Sequence, residues 1–154
     1  STVTGNSASG GYGGGVFAGS SFTLASTIIA GNVGFGAPDI DSSGAISLGY
    51  NIVGNLGTFS GLGAPATGDQ FNVDPLFATA GLANNGGATQ TVAMQSPSPA
   101  RAGGSCAGND GSNGYAVIPA VTLDQRGYAR TSPGAIGCTV GAFDMTSIFY
   151  GGFE

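Results

Sequence analysis

Ser26-Thr27-Ile28-Ile29-Ala30-Gly31-Asn32 places two isoleucines ahead of a Gly-Asn pair, and the arrangement has two echoes. Ser1-Thr2-Val3-Thr4-Gly5-Asn6 precedes it, and Gly49-Tyr50-Asn51-Ile52-Val53-Gly54-Asn55 follows it. The Gly-Asn pairs step by 26 and then 23 residues. Phe22-Thr23-Leu24 and Ile46-Ser47-Leu48 keep a similar step of 24, each with the apolar–polar–apolar alternation of a half-buried strand. Such a period marks a chain of repeats, each burying its apolar face by stacking on the next. In a parallel β-helix, one coil lies on the next at about 4.8 Å, so equivalent side chains form columns. Aligned on Gly-Asn, Val3, Ile29 and Ile52 form an interior aliphatic column, and Phe22/Ile46 and Leu24/Leu48 form two more. Asn6, Asn32 and Asn55 form a corner column. Asparagine accepts the left-handed backbone of a tight bend, and stacked amides can hydrogen-bond along the axis. Plain turn chemistry without a ladder is the simpler alternative, and both readings put a corner there. Leucine-rich repeats have similar periods, but their dense leucine pattern is absent.

Composition agrees with an all-β chain. Of 154 residues 31 are glycine, charged residues make up only 7%, and mean hydropathy is positive. Disordered chains show the reverse balance, and collagen needs glycine at every third position, which is not the case here. The net charge of −5 sets eight acidic residues against Arg101, Arg126 and Arg130. Nucleic-acid binding needs clustered cations and is therefore excluded as an expectation. No apolar run approaches the roughly 20 residues of a transmembrane segment. The first residue is serine rather than methionine, so a leader or a longer N-terminal part is expected to have been removed or left out.

Cys106 and Cys138 are the two cysteines, 32 residues apart. In a lysine-free chain rich in Gly, Ser, Thr and Asn they suggest an oxidising compartment and one disulfide, worth roughly 3–4 kcal/mol by loop entropy. Two buried free thiols are the alternative. The repeat period is lost after residue 55. Phe71–Phe77, Gln90–Met94, Tyr115–Ile118, Thr139–Phe143 and Ile148–Tyr150 read as short strands. Asn84-Asn85-Gly86-Gly87 reads as a turn, Ser96-Pro97-Ser98-Pro99 as a linker, and Gly103–Gly114 as a loop. One continuous domain is expected, with parallel β-helix coils over 1–60 and terminal coils plus an irregular disulfide-tied cap over 61–154.

The later segments carry an ordered series of motifs: Leu48-Gly49-Tyr50-Asn51-Ile52-Val53-Gly54, Asn72-Val73-Asp74-Pro75-Leu76 and Asn84-Asn85-Gly86-Gly87. Asp124-Gln125-Arg126-Gly127 follows, with Arg130 beyond, and then Cys138-Thr139-Val140-Gly141-Ala142-Phe143-Asp144. The series resembles the C-terminal part of bacterial secreted proteins of the choice-of-anchor Q type, akin in repeat style to polymorphic outer-membrane proteins. The resemblance implies a right-handed parallel β-helix and secretion or surface display, and it brings no catalytic set. Two departures stand out: Ser98-Pro99-Ala100 is followed by Arg101 where an Asp is common, and the last strand ends in Asp144 where Glu is usual. The ending Ile148–Glu154 resembles a short tail on some secreted Gram-negative proteins, and reads equally as one last apolar strand.

Polysaccharide lyases and hydrolases use β-helices, so paired carboxylates need weighing. Asp39 and Asp41 share a strand face if the segment is extended, and could act as acid and base or bind Ca²⁺. After a glycine-rich loop, turn formation is the preferred reading. Asn109–Gly114 lacks the terminal acidic ligand of a calcium loop. Asp124 and Arg126 could serve as a lyase base and substrate clamp, but with Arg130 they read better as an ionic network locking the cap. No histidine is present for a triad, no Cys/His cluster for zinc and no lysine for a phosphate loop. No cofactor or metal is called for.

The expected function is a non-catalytic extracellular or cell-surface structural module. Chain position 1 falls inside a repeat unit, and a solenoid cut in mid-coil exposes strand edges that copies could pair head-to-tail into a filament. An adhesin holding surface polysaccharide is the alternative, with Tyr12, Tyr50, Tyr115, Tyr128 and Tyr150 as scattered platforms. A lyase remnant is the third.

Overall fold

The computed structural model describes residues 1–58, 60–108, 111–112, 114–115, 117–130 and 136–145. They form an all-β structure with twelve short strands and no α-helix, hence no helix long and apolar enough to cross a membrane. The chain divides into two compact units, Ser1–Pro75 and Leu76–Glu154.

In the first unit, two successive passes of the chain each add one strand to three parallel ladders, and two further passes add strands to the first ladder alone. The first ladder joins β1 (Thr2–Val3), β4 (Ile28–Ile29), β7 (Ile52–Val53) and β8 (Gln70–Phe71), in that order. The second joins β2 (Val16–Ala18) to β5 (Ile40–Ser42), and the third β3 (Phe22–Leu24) to β6 (Ala45–Ser47). A parallel bridge from Ala45 to Leu62 carries the third ladder into the next pass. The inward partners are Val3, Ile29, Val53 and Phe71 on the first ladder, Val16 and Ile40 on the second, and Phe22, Ala45 and Leu62 on the third. With Leu24 and Leu56 these residues make one apolar core. Strands of two or three residues persist because each contributes a side chain to a column buried by all three ladders.

The register differs from the repeat alignment by one residue. Ile29 lies opposite Val53, and Ile52 lies opposite Ile28 in the neighbouring column, with both isoleucines fully buried. Two residues, Ala30 and Gly31, separate Ile29 from Asn32, whereas Gly54 alone separates Val53 from Asn55. Aligning on Gly-Asn therefore slid the third pass by one position, and a one-residue slip moves a side chain to the other face. Phe22 likewise pairs with Ala45 rather than Ile46, and Leu24 with Ser47 rather than Leu48, because the corner between β5 and β6 is one residue shorter than its equivalent before β3.

The second unit contains two antiparallel pairs. β9 (Phe77–Ala83) and β10 (Thr91–Met94) form a hairpin whose connection includes Asn84–Gly87. β11 (Gly104–Ser105) pairs with β12 (Ile136–Cys138), and the Cys106–Cys138 disulfide, with Cα atoms 6.1 Å apart, ties them covalently. The stretch Phe71–Phe77 is not one strand. β8 stops at Phe71, and Asn72 and Leu76 adopt positive φ values of 57° and 55°. Thr139–Phe143 is buried but not a strand, for a reason given below. The strand expected at Tyr115–Ile118 is reduced to a single bridge position at Ile118 among its described residues, and Ile148–Tyr150 lies outside the described residues.

Truncating an inward column residue should leave a cavity. Ile29→Ala is expected to cost about 2–5 kcal/mol in chemical denaturation. Thr23→Ala, on the exposed face of β3, should change stability by no more than about 0.5 kcal/mol.

Candidate functional site

The asparagine corner is a hydrogen-bond ladder, but its third rung is an aspartate. Asn32 Oδ1 accepts both the backbone amide and the Nδ2 group of Asn6, each at 3.0 Å. Asp39 Oδ1 accepts the same two groups from Asn32, at 3.0 and 2.9 Å. Its Oδ2 accepts the Asn55 amide at 2.6 Å. Asn55 therefore does not stack directly on Asn32, because Asp39 stands between them. A carboxylate suits this place since both its oxygens accept, and donors reach it from two passes.

A second ladder of the same design went unrecognised in the repeat pattern. Asp69 Oδ1 accepts the amide and Nδ2 of Asn51, at 2.9 and 3.1 Å, and Oδ2 accepts the Ala66 amide at 2.9 Å. Asn51 Oδ1 accepts the Thr27 amide at 2.9 Å, while its Nδ2 also donates to Ser47 Oγ at 2.8 Å. Asn51 is fully buried. Its position ahead of Ile52-Val53, like that of Thr27 ahead of Ile28-Ile29, was the available signal.

Asp39 and Asp41 do not form a pair. β5 begins at Ile40, so Asp39 lies outside the strand's alternation and is buried at 1% exposure. Asp41 sits in mid-strand, half-buried, opposite Phe17. Among the described residues no three His, Cys, Asp or Glu side chains gather to hold a metal ion. Asn109 and Asp110 lie outside the described residues.

Asp124, Arg126 and Arg130 do come together in the second unit, and Asp144 joins them. Asp124 turns the chain back on itself: its Oδ1 accepts the amides of Arg126 (2.8 Å) and Tyr128 (3.2 Å). Its Oδ2 accepts Arg126 Nε (2.8 Å) and the Asp144 amide (3.1 Å), and pairs with Arg126 Nη2 at 2.6 Å. Arg126 also donates to the carbonyls of Asn85 and Asp144, and lies over the Phe143 ring at 3.9 Å. Gly87 permits this packing, since a Cβ there would come within 2.8 Å of Arg126 Cα and Cβ.

Arg130 behaves differently. Its guanidinium donates to three carbonyls, Thr139 at 2.8 Å, Gly141 at 2.7 Å and Leu123 at 3.3 Å, and stands 4.0 Å from Asp144 Oδ2. Thr139 Oγ1 donates to Asp144 Oδ1 and accepts the Met145 amide. Two carbonyls of the Thr139–Phe143 run, those of Thr139 and Gly141, are thus served by an arginine side chain instead of a neighbouring strand, and that of Ala142 accepts the Gln125 amide. This is why an apolar run with strand character folds without joining a sheet.

Burial works to raise the Asp124 carboxyl pKa. The Asp144 amide, the hydrogen bond and charge of Arg126, and the Arg126 amide together outweigh it, and the net displacement is downward. Burial lowers the Arg130 pKa, against the opposing charges of Asp144 and Asp124. Every oxygen of Asp124 is committed within the fold, and its side chain is inaccessible to solvent. That is the geometry of a structural lock rather than of a base open to a sugar.

No family model, no curated protein and no solved structure matches this chain.

Asp39→Asn should destabilise the first unit by about 1–3 kcal/mol in urea, because one amide hydrogen must then face a donor from Asn32 or Asn55. For Asp124, the folded pKa lies below the unfolded value of about 3.9, so its contribution is present above that pH and is lost as pH falls through the folded pKa. Stability of the second unit should therefore drop on acidification below about pH 4. Asp124→Asn should be weaker at pH 7 and show a smaller drop when denaturation is compared at pH 7 and pH 2.5.

Proposed function

We propose that this chain is a non-catalytic structural β-solenoid of a secreted or cell-surface protein, its stacked coils followed in sequence by a disulfide-tied C-terminal unit. The observation that carries the reading is the common inward register of the three parallel ladders, stepped by 26, 24 and 18 residues at the corners. A chain that returns to its first ladder on four passes, and to the other two on at least two of them, is in keeping with a parallel β-helix. The right-handed sense and the affiliation with choice-of-anchor Q-type proteins belong to the same proposal, supported by the ordered motif series and by the preference of parallel crossovers for that hand.

Secretion is supported by the Cys106–Cys138 disulfide, which persists in oxidising compartments. A structural role is supported by the engagement of Asp39 and Asp124, the two carboxylates best placed by sequence for chemistry, in buried hydrogen-bond networks. Self-assembly is the further part of the proposal. β1 and β8 are the edge strands of the first ladder, and neither carries a lysine or a proline to discourage pairing. Because all pairings in that ladder are parallel, joining one edge to the other in a second copy is a head-to-tail contact that propagates as a filament.

Sedimentation velocity over a hundredfold concentration range, with negative-stain microscopy of the same samples, tests the assembly. Growing oligomers and fibres of uniform width are expected. Monodisperse monomers throughout would reject assembly while leaving the solenoid reading to be judged by its stability variants.

A further inference from the structure

The two units hold themselves together by different means. Among the described residues of the second, only Ala100, Cys106, Cys138, Val140 and Phe143 are apolar and exposed by 2% or less. The disulfide therefore supplies two of the five best-shielded apolar side chains. Asp124, Arg130 and Asp144 are buried in the same unit, where a charge is costly unless its partners stay in place. Those partners are reached in steps from the disulfide. The Cys106 carbonyl accepts the Val121 amide at 3.0 Å, which starts the stretch that carries Asp124, Arg126 and Arg130. Cys138 leads into Thr139, whose carbonyl accepts Arg130 Nη1 at 2.8 Å and whose hydroxyl donates to Asp144 Oδ1 at 3.1 Å. The Asp144 amide reaches Asp124 Oδ2, and Asp124 holds Arg126, which donates to the Asn85 carbonyl in the β9–β10 connection. The first unit has neither cysteine nor arginine in residues 1–75. Its core is Leu24, Ile29, Ile40, Ala45 and Val53, and its buried Asp39 is answered by amides of the same unit.

We infer that the Cys106–Cys138 bond is a redox latch: the second unit stays open while its thiols are reduced and closes in an oxidising compartment, whereas the first unit folds in either. Without the bond, β11 and β12 are joined only by a short antiparallel pair whose register shifts between Gly104 and Ser105. The chain between the cysteines, 32 positions apart, then has to be ordered without a covalent closure. Losing that closure releases Thr139, and with it a carbonyl of Arg130 and a donor to Asp144. Buried charges deprived of partners favour water, so the unit opens locally as a whole rather than loosening at one strand. Closure is a thiol–disulfide exchange with an external disulfide. One cysteine thiolate attacks it and expels a thiol, and the second attacks the mixed disulfide and expels the other. The two protons lost by the cysteines end on the two released thiols. A reducing compartment thus holds the chain with one unit folded, and arrival in an oxidising one completes it. The inference rests on the disulfide and the division into two units, not on filament formation.

Trypsin reports on the second unit alone, because the chain has no lysine and its arginines are at 101, 126 and 130. Arg126 and Arg130 side chains are only 4% and 6% exposed, so the folded unit shields both sites, while Arg101 is exposed and serves as a check on the protease. The full chain is denatured, reduced and refolded either with reductant kept present or with oxidised and reduced glutathione. Free thiols are then alkylated before digestion, and initial rates are read. Cleavage after Arg126 and Arg130 is expected to be on the order of a hundred-fold faster in the reduced sample. Amide hydrogen exchange at Ala30, Ile52 and Gly54, which donate between passes of the first unit, should be equally slow in both. Adding oxidised glutathione to the reduced sample before alkylation should restore resistance in the wild type. The Cys106→Ser/Cys138→Ser variant should stay cleavable in either medium, with its first unit still protected. Three results would overturn the latch: resistance after Arg126 and Arg130 in the reduced chain, loss of first-unit protection along with the second, or no recovery on adding oxidised glutathione. Absence of first-unit protection even in the oxidised chain would instead reject the ladder structure on which the solenoid reading stands, and the latch with it.

Discussion

In three places a single side-chain oxygen accepts both the backbone amide and the side-chain amide of one asparagine: Asn32 from Asn6, Asp39 from Asn32, and Asp69 from Asn51. The constraint behind this repetition is that a chain turning sharply between short strands presents amides that no strand ladder can serve. Leaving such a group buried without an acceptor costs about 1–3 kcal/mol each time, comparable to the contribution of a whole column residue. With the corners satisfied, strands of two or three residues are enough, since the apolar core fed by all three ladders holds them in line. Asp39 and Asp69 matter most because a carboxylate offers two acceptor oxygens. Each uses them to bind an asparagine on one side and a backbone amide on the other.

The second unit meets the same requirement with donors as well as acceptors. Its irregular segments leave carbonyls as well as amides to be served, and arginine is the side chain that can reach several carbonyls at once with fixed geometry. Arg130 takes three carbonyls and Arg126 two, while Asp124 gathers the amides of Arg126, Tyr128 and Asp144. Two of the chain's three cations are thereby consumed by the fold. Their pairing with Asp124 and Asp144 contributes specificity of arrangement more than raw stability, since burying charge is itself costly.

A scaffold whose polar demands are met internally leaves its outward positions available. On β2 and β5 the inward residues Val16 and Ile40 belong to the core, and the outward residues Phe17 and Asp41 are placed by it without being needed for it. Side chains held at a fixed spacing by rigid neighbours lose little freedom on meeting a ligand. Tyr128 is occupied with Arg126 and the Gly86 carbonyl, whereas Tyr12 gains a partner in Phe35.

Much of the first unit was legible in the chain itself: alternation at Phe22–Leu24, paired aliphatics at Ile28-Ile29 and Ile52-Val53, and the Gly-Asn corners that close them. These are local properties, set by which residues tolerate a strand or a bend. The disulfide was legible too, from the cysteine count and a composition that suits an oxidising compartment. Register was not, because it depends on how many residues each corner consumes. Gly54 alone doing the work of Ala30-Gly31 shifts every residue before it by one relative to Asn55. Nor could the sequence say that Asp39 would serve Asn32 and Asn55 rather than pair with Asp41, or that Arg130 would replace a strand beside Thr139–Phe143. Which acceptor meets which donor is decided through space, between residues 7 to 29 positions apart. Only the packed tertiary structure brings such groups within hydrogen-bond distance.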